Sequence, residues 1–303
     1  MKPKILILYY SQTGQTKRIA TELFKDSEHL FELEYEEIRP LKPFPFPWNS
    51  YAFFDCMPET VLMEPYPLNL PTLLDKHYDL VIIAYQPWFL SPSLPVSSFL
   101  QLHEVKKFLN NKKVITLIGC RNMWINAQEK MKQLLITSNA QLIGNIVLED
   151  KSPNLISVLT IMRWMFKGQK EASGLLPVAG IREYEFNNLK RFQAIIHRAA
   201  TTLNYSNLQN DIITNNGVNI KPSLILLEKR GNKSFNFFAR FIKQKGNMGD
   251  IQRKPRVILY KYLLIIILFI LSPISTLIAK IVSIINKKSL ITEIKYFQHV
   301  SAK

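Results

Sequence analysis

Four short runs of the chain are almost unbroken in hydrophobicity: KILILYY (Lys4–Tyr10), DLVIIAY (Asp79–Tyr85), KVITLIG (Lys113–Gly119) and AQLIGNIVLED (Ala140–Asp150). Runs this short and this rich in β-branched residues suit strands covered on both faces, as in a parallel sheet. LFELEYEEI (Leu30–Ile38) alternates apolar with acidic residues instead, the pattern of an edge strand with one face in water. Helical spacing of apolar residues appears between these runs, over residues 16–25, 96–110 and 127–138, and again over 186–204. The alternation predicts an α/β fold, a doubly wound parallel five-stranded sheet spanning residues 1–204.

The rhythm breaks at PLKPFPFPWNSYAFFDCMPE (Pro40–Glu59), where a helix would otherwise follow the second strand. Its prolines forbid a regular helix over most of its length, and its aromatics are too many for a linker, so residues 40–75 read as an ordered lid inserted in the domain. LISVLTIMRWMF (Leu155–Phe166) is an apolar stretch too short to span a bilayer. Residues 205–256 turn polar and basic and read as a linker region. YLLIIILFILSPISTLIA (Tyr262–Ala279) then offers 18 residues without a charge. As a helix it is about 27 Å long, against a hydrocarbon thickness of roughly 30 Å. Lysines and arginines flank both ends, so charge bias selects no orientation. The expectation is a hydrophobic membrane anchor over residues 257–285, either a spanning helix or an in-plane or re-entrant segment bent at Ser272-Pro273, with a buried soluble hairpin as the alternative, followed by a short basic tail at 286–303.

Charge sharpens this division. Residues 1–150 hold 15 Lys+Arg against 16 Asp+Glu, whereas residues 151–303 hold 24 against 7, so the C-terminal half is the part suited to an anionic membrane surface. Nucleic acid is disfavoured, because the basic residues flank an apolar stretch rather than interleave with exposed aromatics. Cys56 and Cys120 lie far apart in sequence with no neighbouring histidine, which suggests neither a disulfide framework nor a metal site and fits a reducing compartment. The apolar run at the N-terminus is too short for a signal peptide, placing the sheet domain in the cytosol and the chain at the cytoplasmic face of the inner membrane.

The first strand leads into Ser11, Gln12, Thr13, Gly14, Gln15 and Thr16, and then into a helix. Hydroxyls, a glycine and the free N–H groups of a helix start suit a dianionic phosphate. Neither a P-loop lysine nor a G-x-G-x-x-G pattern is present, which disfavours nucleoside triphosphates and dinucleotides. SQTGQT resembles the S/T-x-T-G-x-T phosphate loop of the flavodoxin-like family, and the resemblance extends over roughly residues 3–204. It implies FMN as cofactor, with two further flavin loops at YQPWFLSPSLP (Tyr85–Pro95) and GCRNMWIN (Gly119–Asn126). Pro87, Trp88 and Phe89 would then flank the ring, with Trp88 or Phe89 stacked on it. Backbone groups of Gly119, Cys120, Arg121 and Asn122 would meet its pyrimidine edge.

Arg121 stands in the third loop with no carboxylate between Gly119 and Asn126, unlike the acidic loops of the electron-shuttle flavodoxins. A cation about 4 Å from the ring would favour the reduced anionic flavin by about 4 kcal/mol at an effective dielectric of 20. The lid together with the second loop resembles a flavodoxin-like subgroup labelled dialkylresorcinol condensing enzymes, from flexirubin and dialkylresorcinol pigment clusters. That resemblance implies an aromatase: a ketosynthase partner makes a lipophilic dialkyl cyclohexanedione, and a flavin oxidoreductase converts it to the resorcinol. Asp55 is the candidate base, with Glu59 the only other carboxylate of PFPFPWNSYAFFDCMPETVL (Pro43–Leu62), and Tyr85 and Arg121 complete the candidate catalytic set. Two alternatives share the fold: a membrane-associated NAD(P)H:quinone reductase and a non-enzymatic flavodoxin-type electron carrier.

Overall fold

The computed structural model describes residues 2–271, 278, 279, 281, 282, 284 and 286–301. Strands β1 (Lys4–Tyr9), β2 (Glu32–Glu37), β3 (Leu80–Tyr85), β4 (Pro87–Trp88), β5 (Ser91–Pro92), β6 (Lys113–Cys120) and β7 (Gln141–Glu149) include all five that the hydrophobic pattern predicts. The five long ones form a single parallel sheet in the order β2-β1-β3-β6-β7, while β4 and β5 make a two-residue antiparallel hairpin. β1 and β3 are buried along almost their whole length, the consequence of helices on both faces. β2 sits at the edge as expected, and its acidic residues do more than face water. Glu36 accepts from the amides of Thr72 and Leu73 at 2.6 and 2.7 Å, which fastens the end of the 40–75 insert to the sheet.

Helix α1 (Gln15–Leu23) buries Thr16, Ile19, Ala20 and Leu23, one stripe at helical spacing. The insert carries two short helices in its second half, α2 (Ser50–Asp55) and α3 (Met57–Leu62). The prolines of residues 40–47 exclude helix only up to Asn49, whose side chain accepts from the amides of Tyr51 and Ala52 and starts α2. The helix expected over 96–110 is two, α4 (Leu94–Phe99) and α5 (His103–Leu109), because Leu102 is extended. That break lets the Gln101 amide donate to the carbonyls of Ser97 and Met63. α6 (Ile125–Thr137) and α7 (Asn154–Lys167) follow. The stretch 186–204 is divided among α8 (Glu183–Asn187), a 3-10 turn and α9 (Gln193–Thr202).

Past α10 (Leu208–Thr214) the structure departs most from the sequence expectation. The basic region read as a linker contains the 22-residue helix α11 (Pro222–Lys243), with proline at its first turn. Its lysines and arginines mask an amphipathic stripe. Ala239 and Ile242 join Phe54, Met57 and Val61 of the insert, with Val257 and Tyr260 of α12 (Lys254–Ile266), in a second hydrophobic core. A short π-helical stretch, Ile267–Leu271, continues α12. The Ser272-Pro273 break lies outside the described residues. Among the described residues no helix is long and apolar enough to cross a membrane.

Candidate functional site

The corner after β1 leads directly into the N-terminus of α1. Gly14 sits at φ 82 immediately before α1, and a Cβ there would meet nothing within 4 Å, so glycine is demanded by the backbone and the space above it is open. Ser11 Oγ accepts from the amide of Lys17 at 3.1 Å, and Thr13 Oγ1 lies 3.5 Å from the amide of Gln15. The amides of Gly14 and Thr16 have no partner among the described residues. Thr16 Oγ1 donates to Gln86 Oε1 at 3.1 Å, tying the corner to the loop after β3. Gln12 donates to the carbonyls of Phe44 and Pro45, and Gln15 Oε1 accepts from the amide of Ile181. Gln12 and Gln15 therefore hold the insert and the 177–182 segment beside the corner, a bracing role that the phosphate-loop pattern does not show.

The loop after β3 is the β4–β5 hairpin, and its two turn residues, Phe89 and Leu90, have φ of 48° and 59°. Two bulky side chains in the left-handed region cost about 1–2 kcal/mol each, the kind of strain that a functional turn retains. The turn sends Trp88 and Phe89 to different places. Trp88 is buried against Tyr10, Phe44 and Trp48, with ring centroids 5.8, 5.4 and 5.5 Å away. Its ring is thus packed by Phe44 and Trp48 of the insert and by Tyr10, and the expectation that it stacks on a flavin is corrected to a packing role between lid and sheet. Phe89 turns the other way, into a cavity.

That cavity, about 470 Å³, lies beyond the carboxyl ends of β3 and β6. Pro87 and Phe89 from one loop and Cys120 and Arg121 from the other line it, and α7, α11 and α12 close it with Met165, Phe166, Phe235 and Leu264. Residues 11–16 do not line it; the corner meets the same strand ends through Gln86. Arg121 reaches the wall while its guanidinium donates to the carbonyl and side-chain oxygen of Asn154. Asn122 Nδ2 donates to the side-chain oxygen of Asn154, and Asn122 Oδ1 is buried with no partner among the described residues. Gly119 packs against Ile19, where a Cβ would be 2.4 Å from a methyl carbon. Cys120 donates weakly to the carbonyl of Leu148, and burial raises its thiol well above the ordinary range, which rules it out as a thiolate nucleophile.

The loop contains no carboxylate of its own, but the fold supplies one. Glu228 of α11 accepts from the amides of Trp124, Ile125 and Asn126 at 2.9, 3.2 and 2.9 Å, and from Asn126 Nδ2 at 3.1 Å. It caps α6 from outside the helix, where the dipole favours an anion. Burial pushes its carboxyl up to about 7 against the pull of these donors. Arg121 therefore faces the fields of Glu228 and Asp150, so the purely cationic loop expected from sequence is corrected.

No protein-family model and no curated protein matches the chain. Among solved structures it is similar to a flavoprotein in complex with FMN from Lactobacillus acidophilus NCFM, at 19% identity and TM-score 0.41, covering 48% of this chain and 93% of that one. It is also similar to a flavodoxin, WrbA-like protein from Agrobacterium tumefaciens, at 10% identity and TM-score 0.36, covering 66% and 99%. A flavodoxin from the domain Archaea aligns at 12% identity and TM-score 0.34, covering 65% and 99%. At such scores the likeness carries no weight beside the strand order, which is that of flavodoxin and places the switch point between β1 and β3. The fold is flavodoxin-like.

Two of the three candidate catalytic residues lie away from the cavity. Asp55 is buried in an ion pair with Arg253, 2.7 Å from its Nε, and also accepts from the amide of Gly249 and from Tyr51. A carboxylate held on both oxygens cannot swing to a substrate, so its role as base is corrected to a structural one. Glu59 pairs with the same arginine at 2.7 Å and with Lys243. Tyr85 is fully buried, donates to Gln128 Oε1 at 2.9 Å, and burial holds its phenol well above 10. It belongs to the core beneath α6. Sequence reasoning missed Glu228, Arg230 and Arg253. Pro222 ahead of an amphipathic stripe was the signal for the helix that carries the first two.

Proposed function

We propose that the chain is an FMN-dependent oxidoreductase acting on a lipophilic cyclic ketone, and that it aromatises a dialkyl cyclohexanedione to a dialkylresorcinol. One observation carries the reading: beside an open phosphate-loop corner at the topological switch point, the two following loops converge on a single apolar cavity with guanidinium groups in its wall. Ser11, the amides of Gly14 and Thr16, and the dipole of α1 would hold the phosphate. The orphaned Asn122 Oδ1 would accept an N–H of the flavin's pyrimidine edge. FMN, when bound, supplies a two-electron acceptor.

Conversion of the dione to the resorcinol removes one ring proton and one hydride. A 1,3-dione is a vinylogous acid and ionises to an enolate without a strong base. This suits a wall that, among the described residues, holds Arg121 and Arg230 but no Asp, Glu or His. The guanidiniums favour the enolate, while Phe89, Met165 and Phe166 line an apolar wall suited to its alkyl chains. The exposed apolar residues Ile258, Leu259, Tyr262 and Ile266 of α12, among Lys254, Arg256 and Lys261, support docking on an anionic membrane surface. There, on the cytoplasmic face of the inner membrane, a ketosynthase partner would deliver the dione.

The test is the absorption spectrum of the purified protein with mass analysis of its released cofactor, followed by anaerobic incubation with a dialkyl cyclohexane-1,3-dione. Bleaching of the flavin with resorcinol formation is expected. A folded protein that takes up no FMN rejects the reading, and rapid bleaching by NADPH alone, with none by the dione, transfers it to the quinone reductase.

A further inference from the structure

The layer formed by α7, α11 and α12 over the strand ends has a chemistry of its own. The cavity beneath it is lined by methionine, phenylalanine, leucine and isoleucine side chains, and its volume of about 470 Å³ is that of a small-molecule site. Among the described residues its only charges are Arg121 and Arg230. Arg121 is engaged with Asn154, whereas Arg230 is exposed and has no ion-pair or hydrogen-bond partner among the described residues. Arg230 and the exposed Ser234 mark where the cavity opens to solvent. The wall also holds Tyr260, 2% exposed, with a buried hydroxyl that has no partner among the described residues. A buried hydroxyl left unmade costs free energy that an oxygen on an occupant would recover.

We propose that this cavity binds an anionic amphiphile: an aliphatic tail among the helices, a negatively charged oxygen head at Arg230, and a second oxygen within reach of Tyr260. The inference rests on the reading above and deepens it, since the enolate of an alkylated 1,3-dione is such a molecule. A long-chain carboxylate and an anionic lipid share its chemistry. An apolar wall alone would take any hydrophobic compound; Arg230 adds the charge selection.

The probe is cis-parinaric acid, a fluorescent long-chain carboxylate, titrated into the full chain alongside its methyl ester. The acid is expected to bind roughly tenfold more tightly than the ester, the worth of one charge-assisted hydrogen bond. Arg230→Gln should erase that preference. Tyr260→Phe should weaken both probes severalfold without lowering the thermal midpoint of the free protein, because it removes only an unsatisfied hydroxyl. Ser234→Trp, at an exposed position, should block both. Equal binding of acid and ester to the wild type, or an acid preference that survives Arg230→Gln, overturns the proposal. In a second arm, displacement of the probe by a 2-alkyl cyclohexane-1,3-dione supports it, and displacement by phosphatidylglycerol vesicles but not by the dione overturns it for the enolate. Flavin absorbance recorded on the same samples separates the two readings. Acid preference without flavin rejects the cofactor assignment alone, and bound flavin without acid preference rejects only this one.

Discussion

Replacing Arg253 by methionine tests how the C-terminal helices are held to the flavodoxin-like body. Arg253 is 0% exposed and donates to Asp55 Oδ1 and Glu59 Oε1 at 2.7 Å each, to Glu59 Oε2 at 3.2 Å, and to the carbonyls of Asp55 and Gly246. Methionine fills much the same space but strands two buried carboxylates. Breaking a buried pair from one side costs about 3–5 kcal/mol. Partial compensation remains, since Glu59 keeps Lys243 at 3.2 Å and Asp55 keeps the Gly249 amide at 2.8 Å, so the loss should fall near the lower end, about 3 kcal/mol. That corresponds to a fall of about 6–12 °C in the unfolding midpoint, read by circular dichroism. The triple variant Arg253→Met, Asp55→Asn, Glu59→Gln should recover part of it, because no uncompensated charge stays buried. A single variant within 1 kcal/mol of wild type, or a triple variant less stable than the single, would refute the assignment of Asp55 to structure.

Glu228→Gln should show a pH signature. The folded carboxyl titrates at about 7 against 4.5 when free, so the folded state keeps a proton that the unfolded chain releases, and wild type should lose about 3 kcal/mol relative to the variant as pH rises from 4.5 to 7. Parallel urea unfolding series check this, and curves that stay parallel across the window disprove it. Gly14→Ala forces a side chain into φ 82, and should cost about 1 kcal/mol in stability and about tenfold in FMN affinity by fluorescence quenching. Unchanged affinity would remove the corner from the cofactor site. Trp88→Ala should destabilise the flavin-free protein by about 3–5 kcal/mol, since three lid and strand rings pack on it; a loss confined to flavin binding would restore the stacking role.

The sheet was legible because a strand buried on both faces announces itself in a few consecutive residues, and Ile5–Leu8 or Leu80–Tyr85 need no partner to be read. The helix start after SQTGQT was legible for a similar reason: the glycine that turns the chain into α1 is local. Trp88 misled because its direction depends on the two left-handed turn residues that follow, and neither Phe89 nor Leu90 is a residue that signals such a turn. Asp55 misled because its partner lies 198 positions away. The part of the cavity wall built by α11 was illegible, since that helix lies in a segment whose overall charge resembles that of a linker and buries only Ile225, Glu228, Ala239 and Ile242 of its 22 residues.

The cap on α6 has a consequence for synthesis. The amide of Trp124 emerges from the ribosome 104 residues before the carboxylate that satisfies it. Until α11 has been made, the backbone amides of Trp124, Ile125 and Asn126 have only water in place of that carboxylate, so the cap on α6 is completed after translation has moved well beyond the last strand. The late helix thereby supplies both the cap on α6 and part of the cavity wall, so a chain interrupted before Glu228 lacks the two together.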